Sequence, residues 1–246
     1  AALENGDLFV VYQPQIDLAS GGVVGIEALL RWRTAAGEFV PLEQFIAIAE
    51  QSGLIVAVGS WVLRTALAAQ RELVTRGFPL RMAVNVSPVQ FRQPGFLDIV
   101  RDAIAENSID PGQLELEITE SVALSGWTQT IERMHAIKAL GALIAIDDFG
   151  TGFSSLNYLA RLPADCLKID RSFVHALDNQ HSGTPIAAMV IQLGKQLGMR
   201  VLAEGVEDHE QLQTLVDLGC HEAQGMVYAP AMAQQDLLLW LGNRER

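Results

Sequence analysis

Two adjacent aspartates, Asp147 and Asp148, close the apolar run ALIAIDD and open a loop, FGTGFSS, that carries two glycines and several hydroxyls. Adjacent carboxylates repel each other, so a cation or a solvated turn has to account for them. They are not isolated. Glu27 in GIEALL, Asn85 in VNVS, Glu117 in LEIT, Lys168 in LKID, Glu204 in LAEG and Gln224 in EAQG each sit near the end of an otherwise apolar, strand-like run. A single acid in such a place is ordinarily a structural hydrogen-bonding residue, but a polar residue recurring once per unit at the same end has no structural reason to do so. Carboxylates buried together must be protonated, paired with bases or bound to metal. The nearby bases are Lys168 and Arg31. An all-oxygen donor set without His or Cys selects a hard ion such as Mg2+ or Mn2+ over zinc. One carboxylate bridging two such ions would hold them roughly 3.5–4 Å apart, the arrangement used on phosphoesters.

The elements that must position these residues follow from the alternation of short β-branched or aliphatic runs with longer amphipathic stretches, the signature of repeated βα units and a mostly parallel sheet. Eight strand candidates occur: FVVYQPQI, VVGIEALLRW, MAVNVS, LELEIT, ALIAIDD, CLKID, MRVLAEG and CHEAQG. Helical patterns span Leu54 to Arg76, Pro94 to Asn107, Gly126 to Leu140, Thr184 to Leu197 and Glu207 to Leu218, and Gly77, Gly141, Gly198 and Gly219 stand where a helix would stop at a left-handed residue. The expected fold is α/β: a (β/α)8 barrel of the TIM type, whose active face is built from the carboxyl ends of the strands. It is modified at its start, because the short turn DLASGG between the first two strands suits an antiparallel hairpin and not a crossover.

Composition narrows the function. The chain has 246 residues, of which 50% are hydrophobic, enough to bury one large core, and a single domain over residues 1–246 is expected. A net charge of −12 argues against a broad basic surface for a nucleic-acid polymer, so any phosphate ligand must be handled locally. Cys166 and Cys220, in apolar contexts without metal-type spacing, read as buried free thiols of a reducing, cytoplasmic compartment. His135, His175, His181, His209 and His221 read as surface or structural. The longest early uncharged stretch, QSGLIVAVGSWVL, is too short and too polar to span a bilayer. The first residues, AALENGDLFV, carry acids where a secretory signal carries bases, and the abrupt start without Met looks like a piece of a longer multidomain protein.

The motifs YQPQIDL, IEALLRW, NVSPVQF, LELEITES, AIDDFGTGFSSLNYLARLPADCLKIDRSFV and LAEGVE, in this order along the chain, resemble those of the EAL domains, cyclic di-GMP phosphodiesterases of bacterial signalling. The family fold is a modified (β/α)8 barrel with an antiparallel first strand. The resemblance implies that Glu27, Asn85, Glu117 and Asp147 hold one metal ion, with Asp147, Asp148 and Glu204 around a second. Lys168 would lie beside the nucleophilic water, and Glu204 would be ligand, base or both. Arg31 resembles the family's phosphate-contacting arginine, Gln13 and Gln224 its substrate-side glutamines, and Glu120 the glutamate that anchors the DFGTGFSS loop. The cofactor implied is a pair of Mg2+ or Mn2+ ions, with Ca2+ expected to bind and inhibit. The activity implied is metal-dependent hydrolysis of cyclic di-GMP to the linear dinucleotide by a homodimer, whose full-length protein would carry sensory or GGDEF-type neighbours and could be membrane-anchored. A non-catalytic cyclic di-GMP receptor is the alternative; such domains are expected to lack one or more of the acids, and none is missing here. The chain departs from the pattern at Phe153, where Tyr is common, at Met226, where an aromatic is usual, and at Ala229, where Lys usually precedes the proline.

Overall fold

The computed structural model of the chain describes residues 7–34, 36–150, 159–178 and 184–244. Eight strands close into a barrel in sequence order: β1 (Leu8–Asp17), β2 (Val23–Trp32), β3 (Arg81–Asn85), β4 (Leu114–Thr119), β5 (Leu143–Phe149), β6 (Cys166–Ile169), β7 (Arg200–Ala203) and β8 (Glu222–Ala223). β1 runs antiparallel to both its neighbours, β2 and β8, and every other pair is parallel. Its direction follows from the connection to β2, which is too short for the crossover that parallel strands need. Asp17 caps that turn, its carboxylate accepting from the Ser20 N–H at 2.7 Å and its carbonyl from the Gly21 N–H at 2.8 Å.

Helices surround the barrel: α1 (Leu42–Gln51), α2 (Ile55–Thr75), α3 (Pro88–Arg92), α4 (Phe96–Asn107), α5 (Glu120–Leu124), α6 (Trp127–Ala139), α7 (Arg171–His175), α8 (Thr184–Leu197), α9 (His209–Leu218) and α10 (Gln234–Arg244). α2, α4, α6, α8 and α9 match the five amphipathic stretches read from the sequence to within a few residues. The glycines expected to end helices all have left-handed backbone: Gly77, Gly141, Gly198 and Gly219 lie at φ of 93°, 92°, 70° and 75°. α1, α3, α5 and α7 follow strand ends, and together with α10 fall outside the stretches assigned from sequence. α3, α5 and α7, of five residues each, show too few turns for an apolar period to stand out.

Strand alternation sends one side chain out to the helices and the next into the barrel. In β4, Leu114, Leu116 and Ile118 join the main core between sheet and helices, while Glu115 and Glu117 point inward, two residues apart along the axis. The inward residues stack in layers. At the amino-terminal end Glu115 and Glu222 meet Arg81 and Arg200: Arg81 lies 3.2 Å from Glu115 and 2.5 Å from Glu222, and Arg200 pairs with both acids. Gln15 accepts a further bond from Arg81 at 3.0 Å. Two acids face two guanidiniums, so this floor is charge-balanced. Above it Ala145, Cys166 and Leu202 form a small apolar plug, and Cys166 and Cys220 are both buried free thiols. Among the described residues no helix is long and apolar enough to cross a membrane.

Candidate functional site

The next inward layer, at the carboxyl ends of the strands, has the opposite character. The parallel registers set Glu27 beside Ala83, Asn85 beside Glu117 and Thr119 beside Asp147, so the strand-end residues read from the sequence converge. Lys168 Nζ lies in their middle, 2.6 Å from Glu204, 2.7 Å from Glu117, 3.3 Å from Asp147 and 3.7 Å from Glu27. Lys168 and Glu117 are each 1% exposed. Where the floor matches each acid with an arginine, here Glu27, Glu117, Asp147, Asp148 and Glu204 face one ammonium.

The electrostatics follow from that imbalance. Burial and the neighbouring carboxylates of Glu27 and Asp147 push Glu117 well above the ordinary carboxyl range. Burial is likewise the main cause that raises Glu204, to about 8, with Asp147 and Glu27 adding to it and Lys168 opposing. Burial alone would lower Lys168, but the four surrounding carboxylates outweigh it and hold the ammonium well above its ordinary value. Glu27 is kept below its usual value, because Lys168 and the donors Gln224 and Asn85 outweigh burial. Both oxygens of Glu117 are buried without a hydrogen-bond partner, the Lys168 ammonium lying close to Oε1 but outside hydrogen-bonding angles.

Asp148 is placed differently from Asp147. β5 breaks register between Ile146 and Phe149, and Asp148 takes a left-handed backbone, φ 54°, that turns its carboxylate to the solvent side. Asp147 stays inside, its Oδ1 accepting the Asp148 N–H at 3.0 Å. Burial and Asp147 raise the Asp148 carboxyl. The adjacent pair thus divides into one inward and one cavity-rim acid, which still feel each other's charge.

The polar rim completes the layer. Asn85 Nδ2 donates to Glu27 at 2.7 Å, Gln224 Nε2 donates to Glu27 and, at 3.3 Å, to Gln13 Oε1, and Gln13 Nε2 donates to the Ala229 carbonyl at 3.1 Å. Glu120, at the start of α5, accepts the Gly150 N–H at 2.9 Å and so ties down the chain as it leaves β5. The rest of the DFGTGFSS loop, with Gly152 and Phe153, lies outside the described residues, as do His181 and most of the polar segment before α8.

A cavity of about 710 Å3 opens above this layer, lined by Gln13, Glu27, Asn85, Asp147, Asp148, Glu204 and Gln224, and continues sideways beneath α1 and α2. Its size suits a ligand of several hundred daltons. Arg31, half-buried, donates to the Leu30 carbonyl at 2.8 Å and is not among the lining residues, whereas Arg171, at the start of α7, is. Sequence reading passed over Arg171 although it follows LKID directly. It also passed over Gln90 of NVSPVQF, which lines the sideways extension.

The donors fit a hard divalent cation. They are all oxygen, they outnumber the one ammonium, and Glu117 presents two buried oxygens without hydrogen bonds. With Lys168 in their midst, no three His, Cys, Asp or Glu side chains among the described residues stand as a ready coordination shell. Lys168 is thus part of the site's charge balance, and two divalent ions would offset the four negative charges that it leaves.

Comparison with known proteins agrees with this geometry. The family model for the EAL domain matches residues 1–231. The chain is 40% identical over 238 residues to the bifunctional diguanylate cyclase/cyclic di-GMP phosphodiesterase MucR of Pseudomonas aeruginosa, covering 96% of this chain and 35% of that protein. It is 38% identical over 241 residues to the cyclic di-GMP phosphodiesterase NbdA of the same organism, covering 96% and 31%. The chain spans about a third of the length of the curated relatives it matches. Among solved structures, the Pseudomonas aeruginosa MucR phosphodiesterase in complex with c-di-GMP superposes with a TM-score of 0.93 at 40% identity, over 96% of each chain.

Proposed function

The chain belongs to the EAL domain family, and on that basis we propose that it is a metal-dependent phosphodiesterase that hydrolyses one of the two phosphodiester bonds of cyclic di-GMP, releasing the linear dinucleotide. The observation that carries the reading is the uncompensated carboxylate layer at the active face of the barrel, in contrast to the charge-balanced floor of the same barrel. An acidic cavity without cations would repel a phosphodiester, so the substrate and the acids are compatible only if cations stand between them.

Glu27, Asn85, Glu117 and Asp147 would hold one Mg2+ or Mn2+ ion, with Asp147, Asp148 and Glu204 at a second. Such ions, when bound, acidify a water and offset the charge that gathers on phosphate in the transition state. The chain's own groups divide the remaining work. Lys168, held protonated by its neighbours, acts as a fixed positive charge and hydrogen-bond donor, and not as a proton acceptor. Glu204, 2.6 Å away, is placed to serve as a ligand of the second ion, as the general base or as both. Gln13 and Gln224 offer amides on the substrate side, and Glu120 steadies Gly150 at the root of the loop. A homodimer formed near that loop and α8 belongs to the same reading; Met189 on α8 is 55% exposed, and sedimentation of the active species tests it.

The test is turnover. Chromatography should show cyclic di-GMP converted to the linear dinucleotide with Mg2+ or Mn2+ and not with chelator. Ca2+, which takes more ligands at longer distances and polarises water less, should permit binding without hydrolysis. Tight binding with no turnover under any of Mg2+ and Mn2+ would instead establish a receptor.

A further inference from the structure

One charge on the cavity wall has no part in the acidic layer. Among the described residues that line the cavity, Glu27, Glu43, Glu50, Asp147, Asp148 and Glu204 are acids and Arg171 is the one base. Lys168 is buried, and Arg31 donates to the Leu30 carbonyl and is not on the wall. Arg171 is exposed, and its guanidinium makes no hydrogen bond or ion pair among the described residues.

The backbone holds Arg171 at the mouth of the cavity. Asp170, which ends the run LKID, caps α7 by accepting the Ser172 N–H at 3.0 Å. Gly205, next to Glu204 and itself on the cavity wall, has a φ of 67°, and a Cβ there would stand 2.7 Å from Arg171 Cβ. A side chain at 205 would push α7 off the strand end, so the glycine lets Arg171 close on the residues read as metal ligands. One turn further along α7, His175 Nε2 lies 3.4 Å from Glu207 Oε1 and borders the same segment. The Arg171 charge is felt at the rim: burial, Asp147 and Asp170 raise the Asp148 carboxyl, and Lys168 and Arg171 oppose the rise.

We propose that Arg171 binds the phosphodiester of cyclic di-GMP that is not cut, and so sets a preference for a ring with two phosphates. The proposal rests on the cyclic di-GMP reading. The substrate carries two phosphodiesters, each with one negative charge, and the ions of the proposed centre offset the charge of the one that is cut. The other enters the same acid-lined cavity and needs a cation of its own. A guanidinium at the mouth suits it, because its planar fork pairs with two phosphate oxygens at once. Arg171 thereby acts in binding and orientation and takes no part in proton transfer.

The experiment compares wild type and Arg171→Met, with Mg2+, on cyclic di-GMP, on an analogue in which one phosphate is a neutral methylphosphonate and the other remains to be cut, and on bis(p-nitrophenyl) phosphate, which has a single phosphodiester. For Arg171→Met, KM for cyclic di-GMP should rise about 5- to 50-fold with kcat within about twofold, the loss of a charge-assisted pair at a partly exposed site. Arg171→Lys, which keeps the charge without the fork, should fall between the two. Wild type should show a KM raised by a similar factor for the methylphosphonate analogue, and Arg171→Met should no longer distinguish it from the parent. Hydrolysis of bis(p-nitrophenyl) phosphate should be the same in both proteins. A fall in kcat with KM unchanged would place Arg171 at the phosphate being cut and overturn the proposal. So would an unchanged KM and kcat, or equal loss on cyclic di-GMP and bis(p-nitrophenyl) phosphate, the mark of a structural role. An analogue that wild type handles like the parent would also overturn it, and that result needs no variant to fold. Absence of wild-type turnover sinks the phosphodiesterase reading itself, whereas normal turnover with any of the contrary results just named sinks the assignment of Arg171 alone.

Discussion

Removing divalent ions should make this protein less stable as the pH rises from mildly acidic to neutral, the reverse of the usual acid-denaturation trend. Glu204 has a carboxyl raised to about 8 in the folded chain against an ordinary value of 4.5, and Glu117 is raised as well, both chiefly by burial. Between those two pH values the unfolded chain gives up its proton while the folded chain keeps it. The stabilisation is therefore complete below the unfolded value and is lost as the pH climbs towards 8. Each proton so held changes stability by about 1.4 kcal/mol per pH unit, or about 3 kcal/mol between roughly pH 5 and 7.5. Glu204 is 18% exposed at the side chain, so solvent reduces this figure, and Glu117 adds to it. For a chain of this size about 3 kcal/mol corresponds to a fall in Tm of about 6–12 °C. Thermal melts in chelator across that range should record it. Saturating Mg2+ should flatten or invert the slope, because ions bind the ionised carboxylates, and Glu204→Gln should remove much of it. A chelated protein whose Tm is constant or rises with pH would refute the claim that these carboxyls are protonated for want of cations.

Three other outcomes are expected. Asp147→Asn should reduce Mn2+ stoichiometry in calorimetry more than Asp148→Asn does, since Asp147 faces inward beside Lys168 while Asp148 stands at the rim; equal losses would contradict the division. Glu117→Ala should abolish turnover while circular dichroism shows the barrel folded, and near-normal hydrolysis would remove Glu117 from the site. Gly150→Ala should lower stability by about 1–3 kcal/mol, because its φ of 99° strains any other residue and a Cβ would come 2.9 Å from the Phe173 ring, and it should reduce activity by loosening the Glu120 contact; an unchanged melt and rate would show that the loop root tolerates a side chain.

Much of this protein was legible in its sequence, because the features concerned are local. The alternation of strand and helix, the hairpin that turns β1 antiparallel and the glycines that end four helices each depend on a few consecutive residues, and all appear in the structure. The strand-end polar residues were equally legible, since strand periodicity and the end of an apolar run mark them. The sequence could not say which inward acids are compensated. Glu115 and Glu117 share a strand, a face and a chemistry, yet one is neutralised by Arg81 and Arg200 and the other shares Lys168 with three more acids. The difference is set by the stagger of eight strands around the barrel, which brings together side chains as far as 211 residues apart in sequence and fixes their layer. The same closure leaves Arg31 off the cavity wall and brings Arg171 and Gln90 onto it. The physical reason is that periodicity settles which way a side chain points, while the height at which it meets its neighbours, and hence whether its charge finds a partner, exists only once the barrel has closed.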